Sequence, residues 1–250
     1  MVGDEHDDGI FDEAAAATYD ADVADRFQPE VLGPTVDVLA ELAGDGRALE
    51  LAIGTGRVAL PLADRGVSVA GIERSRAMVA KLREKPGGDA LAVAIGNMAT
   101  TRVPGEFALV YLVFSTLSNL LTQDAQVNCF ANAAAHLGPG GRFVVEAGLP
   151  RLRLLPPGQR FVAFDASPDH VGVDEYDVAN QLLTSHHRYT HADRVDGFTS
   201  QHRWAYPAEL DLMARLAGME LEHRWADWDR SPYTSESTSH VSVWRAPPST

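Results

Sequence analysis

Leu49-Glu50-Leu51-Ala52-Ile53-Gly54-Thr55-Gly56-Arg57-Val58-Ala59 is the stretch whose reading decides the fold. The apolar run Ala48 to Ile53 reads as a buried strand, closed by Gly54. Glycines after a strand let a ligand approach the backbone where a Cβ would collide. The helix behind them, over Arg57 to Arg65, offers unpaired N–H groups at its start. Outward from this unit the chain alternates helix and strand. Val36, Leu39, Ala40 and Leu42 suit a helix ended by Gly44. Val67 to Ile72, Leu91 to Ile95, Ala108 to Val113 and Arg142 to Glu146 are further apolar runs. Between them, Ser75 caps a helix through Lys85. Thr122 caps another, with Val127, Phe130, Ala131 and Ala134 on one face, broken by Gly138-Pro139-Gly140-Gly141. Near-continuous apolar strands separated by helices predict a parallel sheet covered on both faces, an α/β doubly wound domain with its ligand at the carboxyl ends of the strands.

After Pro150 the texture changes. Phe161 to Phe164, Val171 to Val173, Gln181 to His191 and Phe198 to Tyr206 read as antiparallel strands. Pro207 then opens a last helix carrying Leu210, Met213, Ala214 and Ala217, closed by Gly218. Met219 to Trp225 and Val241 to Trp244 are two final strands, which brings the main sheet to seven. The expected organisation is an acidic N-terminal arm and helix over 1–34, a Rossmann-like domain over 35–149 and 207–250, and an antiparallel β insert over 150–206, before the last helix, that covers the site. The arm carries Asp4, Glu5, Asp7, Asp8, Asp12, Glu13, Asp20, Asp22 and Asp25 and no Lys or Arg through residue 25. Its start is expected to fray, and a helix is expected over Ala14 to Ala17.

Charge and composition narrow the partners. A formal net charge of −14 repels polyphosphate, so nucleic acid is not expected as a partner and a neutral or cationic small molecule is. No run approaches the ~20 apolar residues of a membrane helix, and the acidic start is unlike a signal peptide. The single Cys129 excludes an intrachain disulfide and a cysteine-based zinc site. A soluble, cytoplasmic protein with no membrane partner is expected, as monomer or homodimer.

The glycines alone, spelled Gly54-x-Gly56-x-x-Ala59, also fit a dinucleotide fingerprint. Two carboxylates separate the readings. Glu50, just before the glycines, is unfavourable beside a pyrophosphate and favourable beside an ammonium. Glu73 ends the second strand near the ~20-residue spacing at which an acid binds a ribose diol. S-Adenosylmethionine has an amino acid at one end and a ribose at the other, with no phosphate, and satisfies both. Gly96-Asn97-Met98 follows the third strand, where the amide can pair with an adenine edge and Met98 pack on the ring. Val113-Phe114-Ser115-Thr116-Leu117-Ser118-Asn119 follows the fourth and faces the middle of such a ligand.

On these residues the chain resembles the class I S-adenosylmethionine-dependent methyltransferases. The resemblance rests on Glu50-x-Ala52-x-Gly54-x-Gly56-Arg57, Gly71-Ile72-Glu73-x-Ser75, Gly96-Asn97-Met98 and Leu137-Gly138-Pro139-Gly140-Gly141-Arg142-Phe143. It implies that Glu50, Ala52 and Gly54 line the methionine end, Glu73 holds the ribose, Asn97 and Met98 flank adenine, and Phe114 lies near the methyl group. Gly56, Arg57, Arg74 and Tyr19 complete the expected cofactor set. Ala52 stands where the family often has glycine, and Asn97 where it often has aspartate. The insert is similar to that of amino-sugar and amino-acid N-methyltransferases. The implied reaction is methyl transfer to nitrogen or oxygen of a small-molecule acceptor. A nicotinamide-dependent oxidoreductase and a non-catalytic S-adenosylmethionine-binding regulator remain as alternatives.

For acid–base chemistry the candidates are His187 and His202, on two strand faces that read His187, Tyr189, His191 and Phe198, Ser200, His202, Trp204, Tyr206. Arg203 is a further candidate for the cofactor carboxylate or the substrate. No metal is expected: on a strand, residues four apart such as His187 and His191 stand about 13 Å apart, too far to share one ion. Cys129, at an apolar helix position, reads as core, and Trp225 and Trp228 as core or dimer surface.

Overall fold

The computed structural model describes residues 11–248, so the expected fraying of residues 1–10 lies outside the described residues. Two helices, α1 (Glu13–Asp22) and α2 (Pro29–Ala43), precede the alternating series. The series runs β1 (Ala48–Leu51), α3 (Ala59–Asp64), β2 (Val69–Glu73), α4 (Arg76–Arg83), β3 (Ala92–Ile95), β4 (Phe107–Leu112), α5 (Gln123–Ala134) and β5 (Leu137–Gly148). Four strands follow, β6 (Phe161–Ala166), β7 (His170–Asp177), β8 (Leu182–Thr190) and β9 (Val195–Arg203). The chain ends with α6 (Pro207–Leu216), β10 (Glu220–Trp225) and β11 (Ser239–Arg245).

The main sheet has seven strands in the order β3-β2-β1-β4-β5-β11-β10. β1 pairs in parallel with both β2 and β4, so the strand order reverses between β1 and β4. That reversal opens a crevice at the carboxyl ends, where ligands of such sheets bind. β11 runs antiparallel to β5, and β10 pairs antiparallel with β11. One face is packed by Val36, Leu39, Ala59 and Leu62 of α2 and α3. The other is packed by Cys129, Phe130, Leu210 and Met213 of α5 and α6, with Trp244. Burial on both faces explains why these strands read as continuous apolar runs. Burial also pushes the Cys129 thiol up to about 12, so it stays a thiol in the core.

The remaining strands form a separate antiparallel sheet in the order β6-β7-β8-β9. It returns to the main domain through Arg203. This side chain is buried. Its guanidinium donates to Gln126 Oε1 of α5 (2.6 Å), Glu209 Oε1 of α6 (2.6 Å) and Gln181 Oε1 (3.2 Å). Every partner belongs to the framework, which corrects the expectation that Arg203 meets the cofactor or the substrate.

Several element boundaries differ from the sequence reading, each for an identifiable reason. α2 begins at Pro29 and contains Pro34, although the pattern placed its start near Val36. The residue before a proline resists helix chiefly through its Cβ, and here it is Gly33. β5 begins at Leu137 and not at Arg142, although α5 ends at Ala134, ahead of Gly138-Pro139-Gly140-Gly141. These residues lie in the strand, and the pairing with β4 slips between Phe107↔Leu137 and Leu109↔Arg142 to absorb them as a bulge. β9 ends at Arg203, so Trp204 and Tyr206 do not continue the face of Phe198, Ser200 and His202. Trp204 and Tyr206 lead instead into α6, whose first residue, Pro207, has no N–H to pair. His191 lies beyond β8, where its N–H donates to Arg194 O and its ring pairs with Asp196.

Candidate active site

The glycine segment after β1 turns sharply. Ala52, Gly54 and Gly56 all have positive φ, at 57°, 57° and 80°. For Ala52 this left-handed conformation costs about 1 kcal/mol that glycine avoids. Ala52→Gly is therefore expected to stabilise the fold by up to about 1 kcal/mol, less whatever the freer unfolded chain takes back. Chemical denaturation measures it, and a clear loss of stability would contradict the strain.

Glu73, at the end of β2, braces this loop. It is buried, Oε2 accepts from Gly54 N (2.8 Å) and Oε1 from Ser75 N (2.9 Å). Glu50 lies beneath the loop at 3% exposure, with Oε2 accepting from Tyr111 Oη of β4 (3.0 Å). Burial pushes its carboxyl up to about 8, against the opposing Tyr111 bond and the nearby Arg57 charge. Glu50 is thus mostly protonated at pH 7 until a cation approaches.

α1 closes one side of the crevice. Asp20 accepts from Thr55 Oγ1 of the glycine loop (2.6 Å) and forms an ion pair with Lys85. Ser75 Oγ, the cap of α4, donates to Phe11 O (2.5 Å). These bonds bring Tyr19 over the site. Burial raises its phenol, Arg57 opposes that, and Asp20, Glu50 and Glu73 add to it. The Arg57 guanidinium lies 4.9 Å from the centre of the Phe114 ring, and that of Arg26 lies 5.5 Å from it.

Phe114 and Ser115 are both left-handed, at φ 60° and 56°. This is costly for a bulky side chain, and its neighbours hold it in place. Glu146 Oε2 accepts from Phe114 N (2.8 Å), Glu146 O accepts from Ser115 N (3.2 Å), and Ser115 Oγ accepts from Gly148 N (2.9 Å). Asn97 is exposed at the end of β3, with Oδ1 turned back onto Ala99 N (2.8 Å). Met98 is buried in the apolar cluster with Leu51 and Ala70. Arg74 is exposed on the turn after Glu73.

The second sheet presents one face of mixed polarity. Asp174, Ser185 and Ser200 stand side by side on β7, β8 and β9, all buried, and Ser185 Oγ donates to Asp174 Oδ1 (2.7 Å). His202 lies two residues along β9. Its Nδ1 meets Asn119 Oδ1 (3.1 Å) and its Nε2 meets Ser200 Oγ (2.9 Å). His187 lies on the other side of the serine row. It stacks on Phe198 with ring centres 4.4 Å apart, and its Nδ1 is 3.1 Å from His170 Nε2. Burial lowers both imidazoles, and the Asp174 charge opposes this at each. Asp22 of α1 reaches the end of this face, where burial and then its charge raise the Tyr189 phenol.

Tyr19, Glu50, Ala52, Gly54, Gly56, Arg57, Glu73 and Phe114 therefore belong to one neighbourhood at the carboxyl ends of β1, β2 and β4. Asn97 closes β3 beside it, and Met98 turns into the core. His187 and His202 face the same Asp174. The sequence reading named Ser200 only as a face neighbour of His202, and missed Asp174, Ser185 and His170. The alternation His170, Gly172, Asp174, Tyr176 was present as a signal, but the apolar part of that strand is short. Among the described residues no group of His, Cys, Asp and Glu is placed to hold a metal ion.

A doubly wound sheet with a glycine turn flanked by two acids at its carboxyl ends defines a Rossmann-like domain. The methyltransferase-domain family matches residues 48–141. The CcbJ methyltransferase of Streptomyces caelestis is similar throughout, with 37% identity, a TM-score of 0.85, and coverage of 96% of this chain and 99% of that one. On these grounds the chain belongs to the S-adenosylmethionine-dependent methyltransferases, and its cofactor is S-adenosylmethionine. The cypemycin N-terminal methyltransferase of a Streptomyces species is 26% identical over 245 residues, 95% of this chain and 98% of that protein. The S-adenosylmethionine-bound structure of CalS10, an amino pentose methyltransferase from Micromonospora echinaspora, shares the fold at 20% identity and a TM-score of 0.69, over 91% of this chain and 95% of that one. Membership in this family overturns the oxidoreductase and non-catalytic alternatives. No helix among the described residues is long and apolar enough to cross a membrane.

Proposed function

We propose that this methyltransferase acts on a nitrogen of a small molecule, such as an amino sugar or a related secondary metabolite. The observation that carries the reading is the face of the second sheet, where a buried carboxylate, Asp174, lies between two imidazoles of lowered basicity. Such a face suits a cationic amine that must lose a proton. The similarity to the cypemycin N-terminal methyltransferase and to the amino pentose methyltransferase CalS10 points the same way. Incubation with S-adenosylmethionine and matched panels of amines and hydroxyl compounds, read by mass spectrometry, tests it. Methylation confined to amines is expected, and methylation confined to hydroxyls overturns it.

The donor set of the crevice fits the cofactor: two acids, Glu50 and Glu73, with Arg57 beside Phe114. In this reading Glu73 accepts from the ribose hydroxyls, and Asn97 holds the adenine edge, while Met98 stays in the core behind it. Glu50, Ala52 and Gly54 line the methionine end, Arg57 takes the carboxylate, and Tyr19 closes over it. Gly56 shapes the turn and Arg74 borders it. When bound, S-adenosylmethionine supplies an electrophilic methyl carbon on a sulfonium. The protein holds the acceptor in line and excludes water, with Phe114 beside the methyl group. The insert over 150–206 forms the acceptor wall, and the described part of the arm, 11–34, its side. His202, with both ring nitrogens engaged, joins that wall to the 116–119 turn.

Glu50 makes this placement testable. A positive ligand beside it favours the carboxylate, so binding near pH 7 is expected to release a proton. Titration calorimetry in two buffers of different ionisation enthalpy reads that proton, and Glu50→Gln removes the difference. A buffer-independent heat in the wild type contradicts it. The same group acts on stability. Its folded value of about 8 lies above its ordinary 4.5, so the folded state binds the extra proton and stability falls as pH rises from about 4.5 through about 8. Glu50→Gln is expected to flatten that fall.

A further inference from the structure

We propose that His187 is the base that takes a proton from an acceptor entering as its ammonium form, and that His170 and Asp165 fix its tautomer and carry the proton outward. This rests on the amine reading above and adds to it the protonation state of the substrate and the route of its proton.

The geometry runs across three strands. Asp165 Oδ2 of β6 lies 2.7 Å from His170 Nδ1 of β7, and His170 Nε2 lies 3.1 Å from His187 Nδ1 of β8. An ionised carboxylate only accepts, so His170 carries its proton on Nδ1. The Nε2 of a neutral His170 is then an acceptor, and His187 must donate to it from Nδ1. That leaves the lone pair of His187 on Nε2, which has no hydrogen-bond partner among the described residues. Stacking fixes both rings: His187 on Phe198 and His170 on Tyr189, the latter pair with centres 4.3 Å apart. Exposure rises along the chain, from 14% for the His170 side chain to 40% for that of Asp165, so its far end reaches water.

The groups around His187 set its balance. β7 contributes Asp174 and His170, β9 contributes His202, β6 contributes Asp165 through His170, and His186 lies next to it on its own strand. Burial and the neighbouring histidines keep it neutral at pH 7, as a base must be, while Asp174 stabilises the charge that it gains.

The step balances. An ammonium N–H bond breaks, its electron pair stays on nitrogen, and the proton goes to His187 Nε2. The proton on His187 Nδ1 passes to His170 Nε2, leaving an imidazolium paired with Asp165, from which solvent takes the proton. The freed amine forms the N–C bond to the methyl carbon as the C–S bond breaks, and that electron pair stays on sulfur. The net negative charge of the protein favours entry of the cationic form.

Two measurements on the full chain test this. 15N NMR of the imidazole nitrogens at pH 8 is expected to find His187 protonated on Nδ1 and bare on Nε2, a preference lost in Asp165→Asn and kept in Asp165→Glu. A proton on His187 Nε2 at that pH, or a tautomer indifferent to Asp165→Asn, overturns the relay whether or not an acceptor is known. With an amine that turns over in the panel, the pH profile of kcat/KM gives the second test. One pH unit below the acceptor's own pKa only about a tenth of it is free amine. His187→Gln is therefore expected to lose about 10-fold more activity there than one unit above that pKa. An equal loss at both pH values makes His187 structural and overturns the proposal. Turnover of hydroxyl compounds alone fails the amine reading instead, and the NMR result still decides the tautomer.

Discussion

Glu73→Ala is expected to weaken S-adenosylmethionine binding by about 100-fold or more. Hydrogen bonds to a charged group contribute roughly 1.5–3 kcal/mol each, and two to a ribose diol amount to about 3 kcal/mol or more. At ~1.4 kcal/mol per factor of ten, that is a hundredfold. The loss does not stop at the ligand. The same carboxylate accepts from Gly54 N and Ser75 N, so alanine also unpins the glycine turn and the start of α4. Glu73→Gln keeps the shape with one acceptor fewer, and is expected to fall between alanine and the wild type. Calorimetry with S-adenosylhomocysteine measures all three. An affinity within about 3-fold of the wild type in Glu73→Ala would remove Glu73 from the cofactor site.

Arg203→Ala is expected to destabilise the protein by about 3–5 kcal/mol, the usual result of leaving a buried charge without its partner. The guanidinium is 5% exposed and joins the end of β9 to α5, α6 and Gln181. Its removal leaves Glu209 partly buried beside two glutamine amides. Burial alone pushes the Glu209 carboxyl up. The bonds from Gln181, Arg203 and Gln123 outweigh it and hold the group below its usual range. A depressed carboxylate contributes stability above its unfolded pKa, and that contribution is lost as pH falls through its lower folded value. The wild type is therefore expected to lose this term on acidification below about pH 4.5, while Arg203→Ala, left with the Gln181 and Gln123 bonds, has less of it to lose. Arg203→Met combined with Glu209→Gln is expected to recover much of the loss, because removing both charges leaves neither unpaired. Urea unfolding reads each variant. A loss below about 1 kcal/mol in Arg203→Ala would show that the second sheet does not depend on this anchor.

Local patterns carried the central domain far. The apolar runs from Ala48 to Glu146 are strands of one sheet, largely buried except for the edge strand β3, and the caps at Ser75 and Thr122 accept from Met78 N and Ala125 N. Glu50, Gly54 and Glu73 meet where their order along the chain implied. The reason is physical. A strand buried on both faces must be apolar throughout, and a turn that must be left-handed selects glycine, so each feature is written in consecutive residues. The second sheet was less legible. β7 contains Gly172, Asp174, Glu175 and Asp177, which weaken any strand pattern, and only pairing with β8 makes it a strand. Met98 had the right place in the chain for an adenine pocket, yet its side chain packs into the core. Arg203 looked like a free cation because its counter-charge, Glu209, lies across a helix start.

What the sequence by itself determined was therefore the doubly wound class, the position of the cofactor loop and the two acids that flank it. These follow from periodicity and turn chemistry, whose range is a few residues. Tertiary structure alone decided the strain at Ala52 and Phe114, the burial that keeps Glu50 protonated, and the alignment of Asp165, His170 and His187. Burial and long-range pairing depend on what other segments place nearby. Desolvation, ring stacking and hydrogen bonds between strands arise only once those segments have met.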